Sequence, residues 1–285
     1  MDKYLNKNFL LWVFFISYLA ATFIFPFLNV PTLIYAGLIV LLGSGFAVVH
    51  GVMRYGIRGM LVFIATCLLI SNILENLSIQ TGFPFGFYHY TDLLGPKLFA
   101  VPLLIGPAYF STGYLSWTIA NVFLNKTDQK LNNLTLVFLP VIASFIMVMW
   151  DVVMDPTSST INKLWIWHDG GGFFGVPLTN YLGWFLTVYI FFQIFAFYLF
   201  KLKRVNEGNF PKSFWIRAIL LYMSIGLSFF INYLLDKGGV VTDSAGNFWN
   251  IHAIRQSAVI TSLYTMIFVS TLALFKECLL TNVKE

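Results

Sequence analysis

The run Leu134-Thr-Leu-Val-Phe-Leu-Pro-Val-Ile-Ala-Ser-Phe-Ile-Met-Val-Met-Trp150 leads into Asp151-Val-Val-Met-Asp155-Pro156. The apolar segment around it, near 131–154, is long enough to cross a bilayer core of about 30 Å as a helix. Seven more segments read the same way, near 9–25, 32–52, 58–78, 97–123, 178–200, 214–235 and 255–277. The first follows Lys3 and Lys7 as a signal peptide would, but it runs on into Phe23, Phe25 and Phe27 without a small-residue cleavage pattern, so it is read as a helix. The expectation is an all-α, polytopic membrane bundle of about eight transmembrane helices, with 1–285 as one transmembrane domain.

Composition agrees. Of 285 residues, 58% are hydrophobic, 19% aromatic and 10% charged, where a soluble domain carries roughly a quarter charged. With a mean hydropathy of +0.78, a soluble globular enzyme is excluded, because no soluble fold hides that much apolar surface. The net charge of +5 is spread along the chain, which argues against a nucleic-acid partner and for a topology signal. Cys67 and Cys278 suggest no disulfide framework and read as buried thiols.

Eight spans put the loops alternately on two sides, and the basic residues then sort. Lys3, Lys7, Arg54, Arg58, Lys126, Lys130, Lys201, Lys203, Arg204, Lys212, Arg217, Lys276 and Lys284, thirteen of 17, share the side of both termini. Lys97, Lys163, Lys237 and Arg255 lie opposite. By the positive-inside rule both termini are expected in the cytoplasm of a bacterial or archaeal cell, as a multi-pass protein of its cytoplasmic membrane. Three irregular loops near 79–96, 155–177 and 236–254 then face outward.

The titratable groups gather at that outer end: Glu75, Asp92, Asp151, Asp155, Asp169, Asp236, Asp243, His89, His168 and His252. A charged residue inside a span costs about 2.5–3.5 kcal/mol on insertion scales, so Glu75 and Asp151 are functional candidates rather than filler. Asp151 and Asp155 are four apart, which places both carboxyls on one helix face before Pro156 stops the helix. Like charges so placed repel; one of the two is expected to hold its proton, and a neutral carboxyl in a low-dielectric site is a general acid. Arg255 has Asp236 or Asp151 as possible partners.

The segment Thr81-Gly-Phe-Pro-Phe-Gly-Phe-Tyr-His-Tyr-Thr-Asp92 is too aromatic for a solvated loop and too rich in Gly and Pro for a helix, so it is expected to fold back into the protein over a cavity. Trp165-Ile-Trp-His-Asp-Gly-Gly-Gly-Phe-Phe-Gly-Val-Pro-Leu-Thr-Asn180 has the same character. Its glycines lack a phosphate-loop pattern, the His residues form no helical metal-ligand pair, and no nucleophile elbow occurs; no metal site is expected.

At these two loops the sequence resembles a known family. Glu75-Asn-Leu-Ser-Ile-Gln-Thr-Gly-Phe-Pro-Phe-Gly-Phe-Tyr-His-Tyr-Thr-Asp-Leu-Leu-Gly-Pro-Lys97 with Val101-Pro102, and Trp150-Asp-Val-Val-Met-Asp-Pro156 with Trp165-Ile-Trp167 and Gly175-Val-Pro-Leu-Thr-Asn-Tyr-Leu-Gly-Trp184, are similar to the signature stretches of the membrane-embedded carotenoid hydratases. The resemblance implies addition of water to the terminal C=C bond of an acyclic carotenoid end group, giving a tertiary alcohol without a redox cofactor. For such a reaction Asp151 or Asp155 is expected as proton donor, with Glu75, Asp92 and His89 as candidates to position water and take up its proton. Phe83, Phe85, Tyr88, Tyr90, Trp150, Trp165, Trp167 and Asn180 would bind the end group, the rings stabilising a cation by about 2 kcal/mol or more per desolvated contact. Membrane lipid and other enzymes of carotenoid synthesis are the implied partners. A proton-coupled transporter or a non-catalytic carotenoid-binding protein would carry similar residues.

Overall fold

A computed structural model describes residues 2–28, 30–125, 131–202 and 210–279, with the side chains of all of these except 2–5 and 279. Helices dominate: α1 (Asp2–Ile24), α2 (Thr32–Thr81), α3 (Ile105–Phe123), α4 (Asn133–Asp155), α5 (Leu178–Leu202), α6 (Lys212–Leu234), α7 (Ile251–Ser262) and α8 (Phe268–Leu279). Among the described residues six helical segments are long and apolar enough to cross a membrane. Lys126, Lys130, Lys203, Arg204 and Lys284 of the charge pattern lie outside the described residues.

The 50 residues of α2 contain both the second and the third expected span. Gly56 separates them: at φ 70°, ψ 174° it breaks the helical path, in a region of backbone space that is essentially glycine-only. The two arms therefore fold back on each other.

Contacts define the two ends of the bundle. At one, Arg217 donates to Asn8 Oδ1 at 2.9 Å, His50 bridges the Tyr114 hydroxyl (2.6 Å) and the Phe214 carbonyl (3.0 Å), and Lys276 donates to the Phe123 carbonyl. At the other, Thr91 donates to the Lys163 carbonyl and Lys163 to the Thr242 carbonyl, both at 2.8 Å, tying the three irregular loops together. Between the ends the core is aromatic. Phe63 is fully buried, edge-on to Phe195 (4.8 Å), Phe191 (6.4 Å) and Tyr114 (5.9 Å). Ring packing of this kind holds helices together where lipid supplies no hydrophobic drive.

The irregular loops and the stretch just after the first of them carry short antiparallel strand pairs that an all-α reading does not include: the long-range pair β1 (Tyr88–Tyr90) with β4 (Trp165–Trp167), and the hairpins of β2 (Lys97–Leu98) with β3 (Val101–Pro102) and β5 (Val240–Thr242) with β6 (Phe248–Asn250). The expected span at 97–123 is correspondingly shorter, because Pro96 and Pro102 cannot donate helical hydrogen bonds and the chain turns as a hairpin before α3. Pro156 does not end its helix as expected. The chain continues through a π-helical turn, Pro156–Ile161, in which i→i+5 bonding replaces the i→i+4 ladder that a proline interrupts. Cys67 is buried as expected, but Cys278 is exposed, because it lies on the outward face of α8. Arg255 pairs with Asp236 (3.6 Å), which also accepts from His252 at 3.1 Å; Asp151 has a different partner.

Candidate active site

The second arm of α2 ends on Gly82, whose φ of 78° turns the chain back. Ser78 Oγ pins that return, accepting from Phe85 N (3.0 Å) and donating to the Gly86 carbonyl (2.9 Å). From α5, Thr179 donates to the Phe85 carbonyl at 3.0 Å. Thus the aromatic loop folds into the protein, as its composition suggests, instead of standing in solvent.

Pairing of β1 with β4 sets Tyr88 opposite Trp167, His89 opposite Ile166 and Tyr90 opposite Trp165. Alternation along a strand then sends the four large rings inward and His89 outward. Both tyrosines are buried, and burial, then the neighbouring Glu75 carboxyl, push their hydroxyls well above the ordinary tyrosine range. They remain O–H donors. Tyr88 and Tyr90 (3.0 Å) both donate to Glu75 Oε2, and Tyr109 donates to Oε1 at 2.7 Å. Three phenols thus donate to one buried carboxyl.

On the other side Asn180 joins the two aspartates, giving one N–H bond to Asp151 Oδ2 (2.9 Å) and one to Asp155 Oδ2 (2.7 Å). The indole N–H groups of Trp165 (2.9 Å) and Trp167 (3.4 Å) converge on Asp155 Oδ1. Asp151 Oδ1 is buried and has no hydrogen-bond partner among the described residues. The pair is therefore uneven: Asp155 is held by three donors and Asp151 by one.

A cavity of about 160 Å³ lies between these groups. Glu75, Asp155, Asn180, Phe85, Tyr88, Tyr90, Trp150, Trp165 and Trp167, all expected from the sequence, line it. Asp151 stands one turn behind, reaching it through Asn180. Three expected residues are not brought in. Asp92 is fully exposed and pairs with Lys97 at 2.9 Å; His89 faces outward, its Nδ1 2.8 Å from His168 Nε2; Phe83 is exposed. Among the described residues no group of three or more His, Cys, Asp or Glu side chains is placed to hold a metal ion. Two aromatic lining residues, Tyr109 and Trp184, are not among those expected from the sequence. Trp184 lies flat on Tyr109, centroids 4.2 Å apart and planes 1° from parallel, and meets Trp150 edge-on at 5.7 Å. Trp184 closes the second signature stretch, which is the signal that could have found it; Tyr109 sits in an apolar helix with nothing local to mark it.

Arranged this way, the cavity sets one carboxyl amid indole donors, another amid phenols, and aromatic faces between them. That is equipment for moving a proton to and from an apolar molecule while stabilising positive charge.

The family described as "Carotenoid biosynthesis protein" matches residues 35–241, well over half the chain and including all of the carboxyls above. Bisanhydrobacterioruberin hydratase from Haloarcula japonica is 27% identical over 170 residues, 58% of this chain and 55% of that protein, so the chain spans about half the length of this relative. No solved structure matches the chain.

Proposed function

Because the chain belongs to the carotenoid biosynthesis protein family, we propose that it is a carotenoid hydratase, a hydro-lyase that adds water to the terminal double bond of an acyclic carotenoid end group. The observation that carries this reading is the placement of Asp155 and Glu75, in different hydrogen-bonding surroundings, on one cavity walled by indoles and phenols.

Asp155 gives its proton to the less substituted alkene carbon, and the tertiary cation forms at the other. Trp150, Trp165, Trp167 and Trp184 face that charge, each desolvated contact contributing about 2 kcal/mol or more. Water adds to the cation and loses a proton to Glu75, whose return to Asp155 completes the cycle; the net change is one H and one OH across the bond, with no redox step. Asp151 positions Asp155 through Asn180 and shares its proton load. Water reaches the site from the loop end through a polar pocket of about 10 Å³, the size of one water, which is lined by Ser159, Thr160, Lys163 and Asp243 and shares Trp167 with the cavity.

In this reading the two arms of α2, together with α3, bring the six long helices to eight crossings, in a single domain with both termini in the cytoplasm of a bacterial or archaeal cell and the cavity toward the outer face. The test is expression in cells that accumulate acyclic carotenoids, grown in water enriched in heavy oxygen. A pigment heavier by one water and carrying the label is expected. No hydrated pigment from any acyclic end group overturns the proposal.

A further inference from the structure

The cavity has two kinds of wall. Its polar lining, from Glu75, Tyr88, Tyr90, Tyr109, Asp155 and Asn180, is entirely buried. Its half-buried lining is apolar or aromatic; beside Leu104 and Leu164 it holds three pairs, Ala36 and Val40 on the first arm of α2, Ile105 and Ala108 on α3, and Trp150 and Met154 on α4. Each pair is spaced by three or four residues and so shares a helix face. On the first arm of α2 the face shared by Ala36 and Val40 continues to Leu33, an exposed apolar side chain. At Gly37, next to Ala36, an added Cβ would meet nothing within 4 Å.

Size decides what such an opening is for. At about 160 Å³ the cavity matches engineered cavities of about 150 Å³ that hold one benzene. It therefore takes roughly one isoprenoid unit. A carotenoid is about as long as the 30 Å bilayer core is thick, so nearly all of it must remain outside the cavity while its end reacts. The polar wall cannot pass a polyene without stranding buried hydrogen-bonding groups. The side bounded by Ala36, Val40, Ile105, Ala108, Trp150 and Met154 can.

We infer that this side is a lateral portal, open between the first arm of α2 and the outer turns of α4 above the start of α3, through which the polyene chain of the substrate lies out into the bilayer while its end group occupies the cavity. The inference rests on the hydratase reading for the identity of the substrate. It adds a specificity rule: the protein reads the end group and the first stretch of polyene beside Ala36 and Ala108, and is indifferent to the length beyond.

The test uses the whole protein in membranes, with Cys278→Ser and Ala36→Cys so that a lipid-soluble thiol reagent has one half-buried target; Cys67 is buried. Labelling follows folding, so loss of activity cannot reflect misfolding. Expected are slower labelling in the presence of an acyclic carotenoid, and loss of most turnover once a bulky adduct is in place. Acyclic polyenes of different lengths with the same end group should be hydrated at similar rates by the unlabelled protein. Full turnover by labelled protein, with labelling unaffected by carotenoid, overturns the portal and leaves the hydratase intact. Protection by carotenoid without any hydrated product supports the portal and overturns the hydratase.

Discussion

Tyr88 and Trp167 face each other across the β1–β4 ladder with ring centroids 4.7 Å apart, and each holds one of the two carboxyls of the cavity, Tyr88 donating to Glu75 and Trp167 to Asp155. The proposed base and the proposed acid are therefore positioned by one strand pair. Tyr88→Phe and Trp167→Phe should each slow hydration, and their effects should not add: a double-mutant cycle on turnover is expected to give a coupling of about 0.5–3 kcal/mol. Additive effects would show that the two carboxyls are held independently.

Asp155→Asn keeps the size and polarity of the side chain but removes the acid. Hydration is expected to fall by roughly 10²–10⁴-fold, the usual contribution of a positioned general acid. Asp151→Asn should cost less, because Asp151 reaches the cavity only through Asn180. Wild-type rates from both variants, measured as hydrated pigment per unit protein, would remove the aspartates from the proton-donor role.

Gly183 lets α5 lie against the aromatic loop. A Cβ there would stand 2.7 Å from the Pro84 carbonyl oxygen and 2.8 Å from the Pro84 carbonyl carbon, and backbone cannot rotate away as a side chain can. Gly183→Ala is expected to lower stability by about 1–3 kcal/mol, as overpacking does, and to reduce turnover by shifting Phe85. Thermal unfolding in detergent and a rate assay check both; an unchanged melting temperature would mean that the loop gives way freely.

The outer edge of the β1–β4 strand pair should be sensitive to acid. Partial burial, then His168 and Lys97 nearby, hold His89 below the ordinary histidine value. The folded strand pair thus favours neutral His89, and its contribution to stability is complete above pH about 6.5 and fades as pH falls through the lowered value. Tryptophan fluorescence from Trp165 and Trp167 should report loosening below that range, and His89→Gln should abolish the pH dependence while retaining hydration, since His89 is outside the cavity.

Orientation is open to labelling. In a protein without Cys67 and Cys278, Asp92→Cys should react with a membrane-impermeant thiol reagent on intact cells, and Arg58→Cys, also exposed, only after permeabilisation. The converse pattern would invert the bundle. Loss of the Asp92–Lys97 pair is a mild perturbation, because exposed ion pairs contribute about 0–1 kcal/mol.

Much of this was legible in the sequence because hydrophobic runs and intramembrane carboxyls are strong, local signals. The one-turn spacing of Asp151 and Asp155 holds in the structure, bridged by Asn180. What was not legible depends on partners distant in sequence. His89 was grouped with the carboxyls by proximity, and only the pairing with residues 165–167 reveals that its strand turns it away. Asp92 looked like part of the same cluster, yet Lys97 offers it an ion pair at the surface. Ala36 and Val40 are unremarkable in an apolar helix, and nothing nearby in the chain says that they border a cavity. Pro156 breaks a regular α-helix by rule, but a π-turn is a local escape that composition does not announce.

Ala36 and Glu75 border the same cavity although a straight helix would set them about 58 Å apart. Gly56 removes that distance, and in doing so makes the arm that follows it a measuring rod. Each residue added or removed between Gly56 and Glu75 would turn the carboxyl by about 100° and slide it by 1.5 Å, off its three phenols and toward lipid. A one-residue insertion in that arm is thus expected to break the Glu75 contacts from a position remote from the cavity, because the count of residues from Gly56 to Glu75 sets where the carboxyl stands.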